Sequence, residues 1–286
     1  MLFLERWNSC GKIKKSNLVL DEYKGNGIFE RRVFKLKKIT AVIGSPNDKK
    51  SNTCTMVRDF IDTVKQYYSD IESEVISLGI NKVEPCRGCW NCFKTGECVY
   101  KNDLLPEIRD KILNCDFLIL GTPVYEQTVT GQTKILFDRL MMWIHLIGLM
   151  GKPTITAVTS AGDGIKSCQE YLDLIVQFMG CILVGQLEGI GLQPGYFPER
   201  QKYVEKYKYL AKKTASILSE KKEAKPSKMN EHAFEHMKQH LLCQTKKSGE
   251  NNFTEYSFYE HEYWEEKGWL TMTYQEALQA EKSLHP

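Results

Sequence analysis

The sequence has no long hydrophobic run. Its start, Met1-Leu2-Phe3-Leu4, meets Glu5 and Arg6 at once, and no later stretch approaches the ~20 apolar residues that a membrane-spanning helix needs. Neither sign of charge dominates: 39 Lys and Arg stand against 36 Asp and Glu, for a net charge of +3. That balance argues against nucleic acid or an anionic membrane as the main partner. Internal repeats and low-complexity tracts are absent. So are the Gly-Lys-Ser/Thr ending of a nucleoside triphosphate loop and the three spaced glycines of a dinucleotide fingerprint, which weakens both readings. A soluble, cytoplasmic protein is expected.

What is present fits one α/β domain with residues to spare, since 42% of 286 residues are hydrophobic. Of the ten cysteines, four crowd between positions 86 and 98. A secreted disulfide framework would spread them over a short chain, so the crowding points to a metal or redox role in a reducing compartment.

Residues 38–44 form a β-branched apolar run ended by Gly44, as expected of a strand buried on both faces. Met56, Val57, Phe60, Ile61, Val64 and Tyr67 then recur at helical spacing. The alternation continues with strands at 74–78, 117–120, 154–158 and 181–184. Helices are expected at 104–113 with Asp103 as cap, at 132–150, at 167–179 and at 199–218. Strand and helix alternating five times imply right-handed crossovers and a doubly wound, five-stranded parallel sheet over residues 37–220. The helix at 132–150 is apolar around most of its circumference, interrupted by Asp138, Arg139 and His145, and is expected to be covered on several sides. Residues 1–36 form an N-terminal extension with no clear period, although Gly25-Asn26-Gly27 reads as a turn. Residues 221–286 comprise a linker at 221–230, a short amphipathic helix and an aromatic tail.

Between the first strand and helix lies Gly44-Ser45-Pro46-Asn47-Asp48-Lys49-Lys50-Ser51-Asn52-Thr53. Backbone amides at a helix N-terminus have no helical partner and carry the positive end of the dipole. A phosphate dianion can be held there by amides together with the Ser45, Ser51, Asn52 and Thr53 side chains. The alternative is an ordinary capped turn. Two further loops, running through Pro123, Val124 and Tyr125 and through Thr159, Ser160, Ala161 and Gly162, leave the same carboxyl edge of the sheet. At the switch point of such a sheet the three converge on one crevice, where a flat ring can rest between the second and third. Tyr125 either faces that ring or serves as packing.

Cys86, Cys89, Cys92 and Cys98 follow the second strand with two, two and five residues between them. Four thiolates in one loop can wrap a [4Fe-4S] cube, can bind zinc tetrahedrally, or can stay reduced without metal. Cys10, Cys54, Cys115, Cys168, Cys181 and Cys243 read as buried or incidental thiols. His232, His236 and His240 recur every four residues, which reads as a solvated helix face rather than a metal site.

The Gly-Ser-Pro…Asn-Thr loop, the cysteine cluster, Gly121-Thr122-Pro123-Val124-Tyr125, and Thr133-Lys134 followed by Phe137-Asp138-Arg139 occur in that order. With them the chain, over residues 38–220, resembles the NADPH-dependent FMN reductase group of the flavodoxin-like superfamily, and within it the iron-sulfur flavoproteins. That resemblance implies a flavodoxin-like fold, a homo-oligomer, and FMN with its phosphate on Ser45, Ser51, Asn52 and Thr53. It also implies NAD(P)H as co-substrate, with electrons passing to a small acceptor. Its iron-sulfur branch implies a [4Fe-4S] cluster that exchanges electrons with FMN, with ferredoxin as the partner. Asn47-Asp48 stands where relatives commonly carry a basic residue. Trp90 is a second candidate for shaping the pocket, and the tail around Tyr263-Trp264 and Trp269-Leu270 is expected to dock on the core or a neighbouring subunit.

Overall fold

The computed structural model describes residues 17–24, 28–79, 82–247 and 258–284, with 17–24, 28–35 and 244–247 as backbone alone. Strands β1 (Asn17–Lys24) and β2 (Ile28–Lys35) pair antiparallel, Asn17 opposite Lys35 and Lys24 opposite Ile28. Within the N-terminal extension, to which composition assigned nothing, the described residues thus form an antiparallel strand pair. The turn expected at residues 25–27 lies outside the described residues.

From there the chain alternates: β3 (Lys37–Ile43), α1 (Asn52–Tyr67), β4 (Ile71–Ser77), α2 (Asn91–Thr95), α3 (Leu105–Leu113), β5 (Phe117–Pro123), α4 (Gly131–Arg139), α5 (Met142–Leu146), β6 (Pro153–Ser160), α6 (Ile165–Phe178), β7 (Ile182–Ile190), α7 (Arg200–Lys206) and α8 (Lys208–Leu218). The five core strands are all parallel in the order β4-β3-β5-β6-β7, the flavodoxin-like winding expected. Successive strand residues point to opposite faces. Ile39, Ala41 and Ile43 of β3 and Phe117 and Ile119 of β5 pack with α1 and α8. Val42, Leu118 and Leu120 instead meet α3, α4 and α6. Both faces are covered, which is why the strands read as unbroken apolar runs rather than alternating ones. On the outer edge, β7 is capped by side chains. Tyr207 Oη accepts from Glu188 N (2.6 Å) and Tyr203 Oη from Ile190 N (2.9 Å), so the edge offers fewer open amides to another strand.

Two single helices expected from periodicity are each two. The first breaks at Leu140–Met141 because it serves two cores. Leu136, Phe137, Leu140 and Trp143 pack on the sheet side, whereas Met142, Leu146 and Ile147 turn to the C-terminal extension. The other breaks at Tyr207, whose hydroxyl is held by β7 at both Glu188 N and Glu188 O. Asp103 does hold an amide of the second expected helix, accepting from Leu105 N at 3.1 Å.

The extension is longer and better anchored than its composition implies. Helix α9 (Lys228–Lys247) runs for 20 residues and is followed by α10 (Tyr259–Glu266) and α11 (Tyr274–Leu284). The linker ends at 227, where Ser227 Oγ meets Gln177 Oε1 at 2.7 Å, and Asn230 Nδ2 donates to Cys181 O at 2.8 Å. Phe234, Met237, Leu241, Trp264, Trp269, Tyr274 and Leu278 form a separate buried cluster with Ile147. Trp264 and Trp269 meet edge to face at 5.4 Å, so the tail aromatics dock on their own chain. His232, His236 and His240 are exposed, the first two against the Phe178 ring. No helix among the described residues is long and apolar enough to cross a membrane.

Candidate functional site

Five loops leave the carboxyl edge of the sheet, and hydrogen bonds knit four of them into one rim. Thr130 Oγ1 donates to Gly44 O (2.5 Å), joining the loop after β5 to the loop after β3. Val124 N donates to Thr159 O (2.7 Å), joining the loops after β5 and β6. Thr53 Oγ1 and Thr159 Oγ1 are hydrogen-bonded at 2.6 Å, joining α1 to the end of β6. Asn52 Nδ2 donates to Gln193 O (3.1 Å) and Tyr196 O (3.2 Å), and Gly195 N to Lys50 O (2.7 Å). The last three bonds bring in the loop after β7, which periodicity alone did not single out. Gly191, Pro194 and Gly195 were its available signal.

The residues expected to hold phosphate are together, but most of their side chains are already engaged. Ser51 caps α1, accepting from Cys54 N at 3.1 Å. Thr53 is spent on Thr159 and Asn52 on the β7 loop. Ser45 is buried, with its Oγ accepting from Asn47 N (3.3 Å) and its carbonyl accepting from Ser77 Oγ (3.1 Å). An anion at this loop would therefore meet chiefly the backbone amides before the first intrahelical bond of α1, aided by its dipole. The four side chains shape the loop that presents those amides. Replacing Thr53 with valine leaves the Thr159 hydroxyl buried without its partner. We expect a loss of about 1–3 kcal/mol of stability by urea unfolding, with flavin affinity falling by less than about tenfold.

On the ring side, Pro123 and Val124 are half-buried and Tyr125 is 46% exposed. Tyr125 and Thr128 exchange backbone bonds (2.9 and 3.0 Å) across a two-residue turn. Its central residues Glu126 and Gln127 both have positive φ, 47° and 65°, the conformation a tight hairpin demands but one that non-glycine residues adopt at a cost. Ser167 Oγ pins this turn, donating to Gln127 O at 2.6 Å. Thr159 and Ser160 are buried, Ser160 Oγ accepting from Gly162 N at 3.1 Å, while Ala161 and Gly162 are exposed. A Cβ placed on Gly162 would meet nothing within 4 Å, so the space over this loop is open. An anion-ready helix terminus, an exposed aromatic and an open glycine loop fit a phosphorylated flat ring.

The cysteine loop leaves β4 at the same edge. Gly88, Trp90 and Gly96 take left-handed conformations at φ 65°, 61° and 75°, folding the chain back on itself. Cys86 and Cys89 are exposed, whereas Cys92 and Cys98 are half-buried. Burial pushes the Cys92 thiol up, and the neighbouring sulfurs of Cys98, Cys86 and Cys89 add to that, so the other three stand within electrostatic reach of Cys92. Gly88 N donates to Cys86 Sγ at 3.4 Å. Among the described residues no three His, Cys, Asp or Glu side chains are gathered on one point as a single metal ion requires. Four thiolates on one loop are the donor set that either an iron-sulfur cube or zinc would take.

The stems of the loop are clamped by a buried ion pair. Arg139 Nη1 lies 2.6 Å from Asp103 Oδ2, the side chains 1% and 6% exposed. Arg139 also donates to Glu84 O (2.7 Å) and Tyr100 O (3.2 Å), on either side of the cysteines. Burial opposes ionisation of Asp103, but the amides of Glu84 and Leu105 and the Arg139 guanidinium overcome it and hold the carboxyl below its usual range. Beside Cys98, burial lowers the Arg109 pKa against the opposing pull of Asp110, Glu97 and the Cys98 sulfur, and its guanidinium stands 5.8 Å over the Trp143 ring. Elsewhere Cys54, Cys115, Cys168 and Cys181 are buried, and burial pushes Cys168 and Cys181 up to about 12. Cys243 is exposed, and Cys10 lies outside the described residues.

A parallel sheet wound in this order, with an anion-ready helix terminus at its switch point, places the molecule in the flavodoxin-like class of α/β proteins. The chain belongs to the NADPH-dependent FMN reductase family, whose model matches residues 37–190. It is 30% identical over 234 residues to an iron-sulfur flavoprotein of Archaeoglobus fulgidus, taking in 82% of this chain and 100% of that one. An iron-sulfur flavoprotein of Clostridioides difficile is 30% identical over 193 residues, 64% of this chain and 80% of its own. Among solved structures, RosB with bound 8-demethyl-8-formylriboflavin-5'-phosphate aligns with a TM-score of 0.50 at 16% identity, over 75% of this chain and 88% of that one. That last likeness is one of fold. The chain is a flavin-dependent oxidoreductase.

Proposed function

We propose that this protein binds FMN in the crevice between the loops after β3, β5 and β6, takes electrons from NAD(P)H, and delivers them to a small acceptor. The observation that carries the reading is the hydrogen-bonded rim, in which Thr130–Gly44, Val124–Thr159 and Thr53–Thr159 hold three loops of distant sequence around one opening. FMN bound there supplies the redox chemistry, accepting two electrons and releasing them singly or as a pair. The protein's share is placement. Amides before the first bond of α1 bind the phosphate, the pinned turn at Glu126–Gln127 sets the height of Tyr125, and the open Ala161–Gly162 loop admits the ring. Purified holoprotein is expected to oxidise NADPH or NADH steadily in the presence of a quinone, a nitro compound or free flavin. Failure with all three removes the reductase reading.

A second reading has its own observation. Cys86, Cys89 and Cys98 all stand within electrostatic reach of Cys92 on a loop at the same sheet edge, and the relatives at about 30% identity are named iron-sulfur flavoproteins. On this reading Cys86, Cys89, Cys92 and Cys98 hold a [4Fe-4S] cluster and ferredoxin is the electron partner. Anaerobically prepared protein should then contain about four irons per chain and absorb broadly beyond the flavin bands. A flavin spectrum without iron discards it.

A further inference from the structure

Helix α10 does more than complete the aromatic cluster of the extension. Its first residue, Tyr259, lies against the cysteine loop: a Cβ built on Gly96 would stand 2.6 Å from Cε1 of the Tyr259 ring. Tyr259 and Tyr263 join Phe93, Met142 and Cys92 in one apolar cluster. The arrangement is held from behind by His145 of α5. Phe93, next to Cys92 on the short helix α2, meets the His145 ring edge to face at 4.8 Å. His145 Nδ1 lies 2.6 Å from Oε2 of the buried Glu260, and its carbonyl accepts from Trp264 Nε1 at 2.8 Å. Two successive turns of α10 are thus fastened to the element on which the cysteine loop rests. This segment lies beyond the span 37–190 that matches the family model.

The consequence is an asymmetric site. Cys92, packed with Phe93 and Tyr259, is half-buried, as is Cys98, whereas Cys86 and Cys89 are exposed. We infer that α10, through Tyr259, is the inner wall of the four-cysteine site, shielding Cys92 and Cys98 and leaving Cys86 and Cys89 as its open side. A metal group held there is open to water, oxygen and chelators from one direction only. That last statement rests on the metal reading given above; the wall itself does not.

The test uses the full-length chain and the variants Tyr259→Ala and Tyr259→Phe. In reduced, metal-free protein treated with iodoacetamide and mapped by mass spectrometry, Cys86 and Cys89 should be modified before Cys92 and Cys98. In Y259A the inner pair should react about fivefold to tenfold faster, the scale of a local opening eased by loss of one packed side chain. Y259F should match the parent, and the outer pair should be unchanged throughout. In anaerobically prepared protein, iron release to a chelator should quicken in Y259A by a similar factor, with flavin content unchanged. Equal labelling of all four cysteines in the parent, or the same inner-pair rate in Y259A, overturns the wall. A labelling contrast in protein that never holds iron supports the wall and removes the metal reading, so the two failures are separable. Should Y259A unfold, the buried Cys168 will also label. Tyr259→Val, which removes the ring but leaves an apolar side chain on the helix, then replaces it, and an inner-pair rate equal to the parent's overturns the proposal.

Discussion

Replacing Arg139 with methionine is expected to cost about 3–5 kcal/mol of unfolding free energy, because one partner of a buried ion pair is removed and the other remains. The charges sit at 1% and 6% exposure, 2.6 Å apart, so solvent can neither screen the pair in the parent nor rescue Asp103 in the variant. The loss also has a pH signature. In the parent the Asp103 carboxyl is held below its usual range, so its contribution is fully present above the unfolded carboxylate value of about 4 and disappears only as pH falls through the lower folded value. In R139M burial is no longer outweighed by the guanidinium. The folded value rises, and acid unfolding begins at higher pH. Urea titrations of parent and variant at a series of pH values between about 3 and 7 would read both effects. A double variant with Asp103→Asn should recover part of the loss, since it removes the stranded charge and keeps an acceptor for one of the two amides, Glu84 or Leu105, that the carboxylate serves. The clamp joins Glu84 to Tyr100 across the whole cysteine loop. R139M should therefore also loosen that loop, visible as faster alkylation of Cys92 and Cys98. Unchanged stability in R139M would show that the pair is formed only at the margin of the fold.

The fold was legible where burial alone dictates the sequence. Strands covered on both faces, such as β3 with Ile39, Ala41, Val42 and Ile43, read as continuous apolar runs, and one run per βα unit sufficed for the winding. What periodicity missed was any place where one element serves two partners. The apolar residues from 132 to 150 look like one helix because they are apolar in sum, yet the chain bends at Leu140 to give the sheet and the extension a face each. Arg139 and His145 looked like interruptions of that helix. They are its most specific contacts, one clamping Asp103 and the other facing Glu260. The site was legible as a set of loops, because glycine, proline and small polar residues at strand ends have few other uses. Its internal wiring was not, since bonds such as Asn52 to Gln193 or Thr53 to Thr159 join residues over 100 positions apart. No local pattern encodes them. The antiparallel pair of β1 and β2 was hidden for the opposite reason: its residues have mixed composition and no clear period.

The sharpest test of the crevice uses two glycines at which a methyl group has no room. A methyl group on Gly44 would stand 1.7 Å from Thr133 Oγ1, 2.9 Å from Thr133 Cβ and 3.1 Å from Thr130 Oγ1. One on Gly79 would press on the other side of the same loop, 2.5 Å from Ser45 O and 2.6 Å from Pro46 Cα. Thr133 lies in the first turn of α4 and is held by the Thr130 cap at 3.2 Å, and on the Gly79 side the obstacle is main chain, so neither contact relaxes by a simple rotation. Each substitution is expected to displace the Gly44–Ser51 loop, at a cost of about 1–3 kcal/mol from overpacking. The amides at the start of α1 would lose their common aim, and FMN should bind more weakly by at least about tenfold, or 1.4 kcal/mol. Adding Thr133→Ala should restore part of the affinity in G44A, because the closest obstacle is then gone, and should do nothing for G79A. Gly131→Ala is the matched control: its methyl meets nothing within 4 Å, it starts a helix, and binding should be unaltered. FMN fluorescence quenching, titrated in the same way, measures the parent and all five variants. If G44A and G79A bind as the parent does, the loop after β3 is not where the phosphate rests, and the amides of α1 are only an ordinary capped turn.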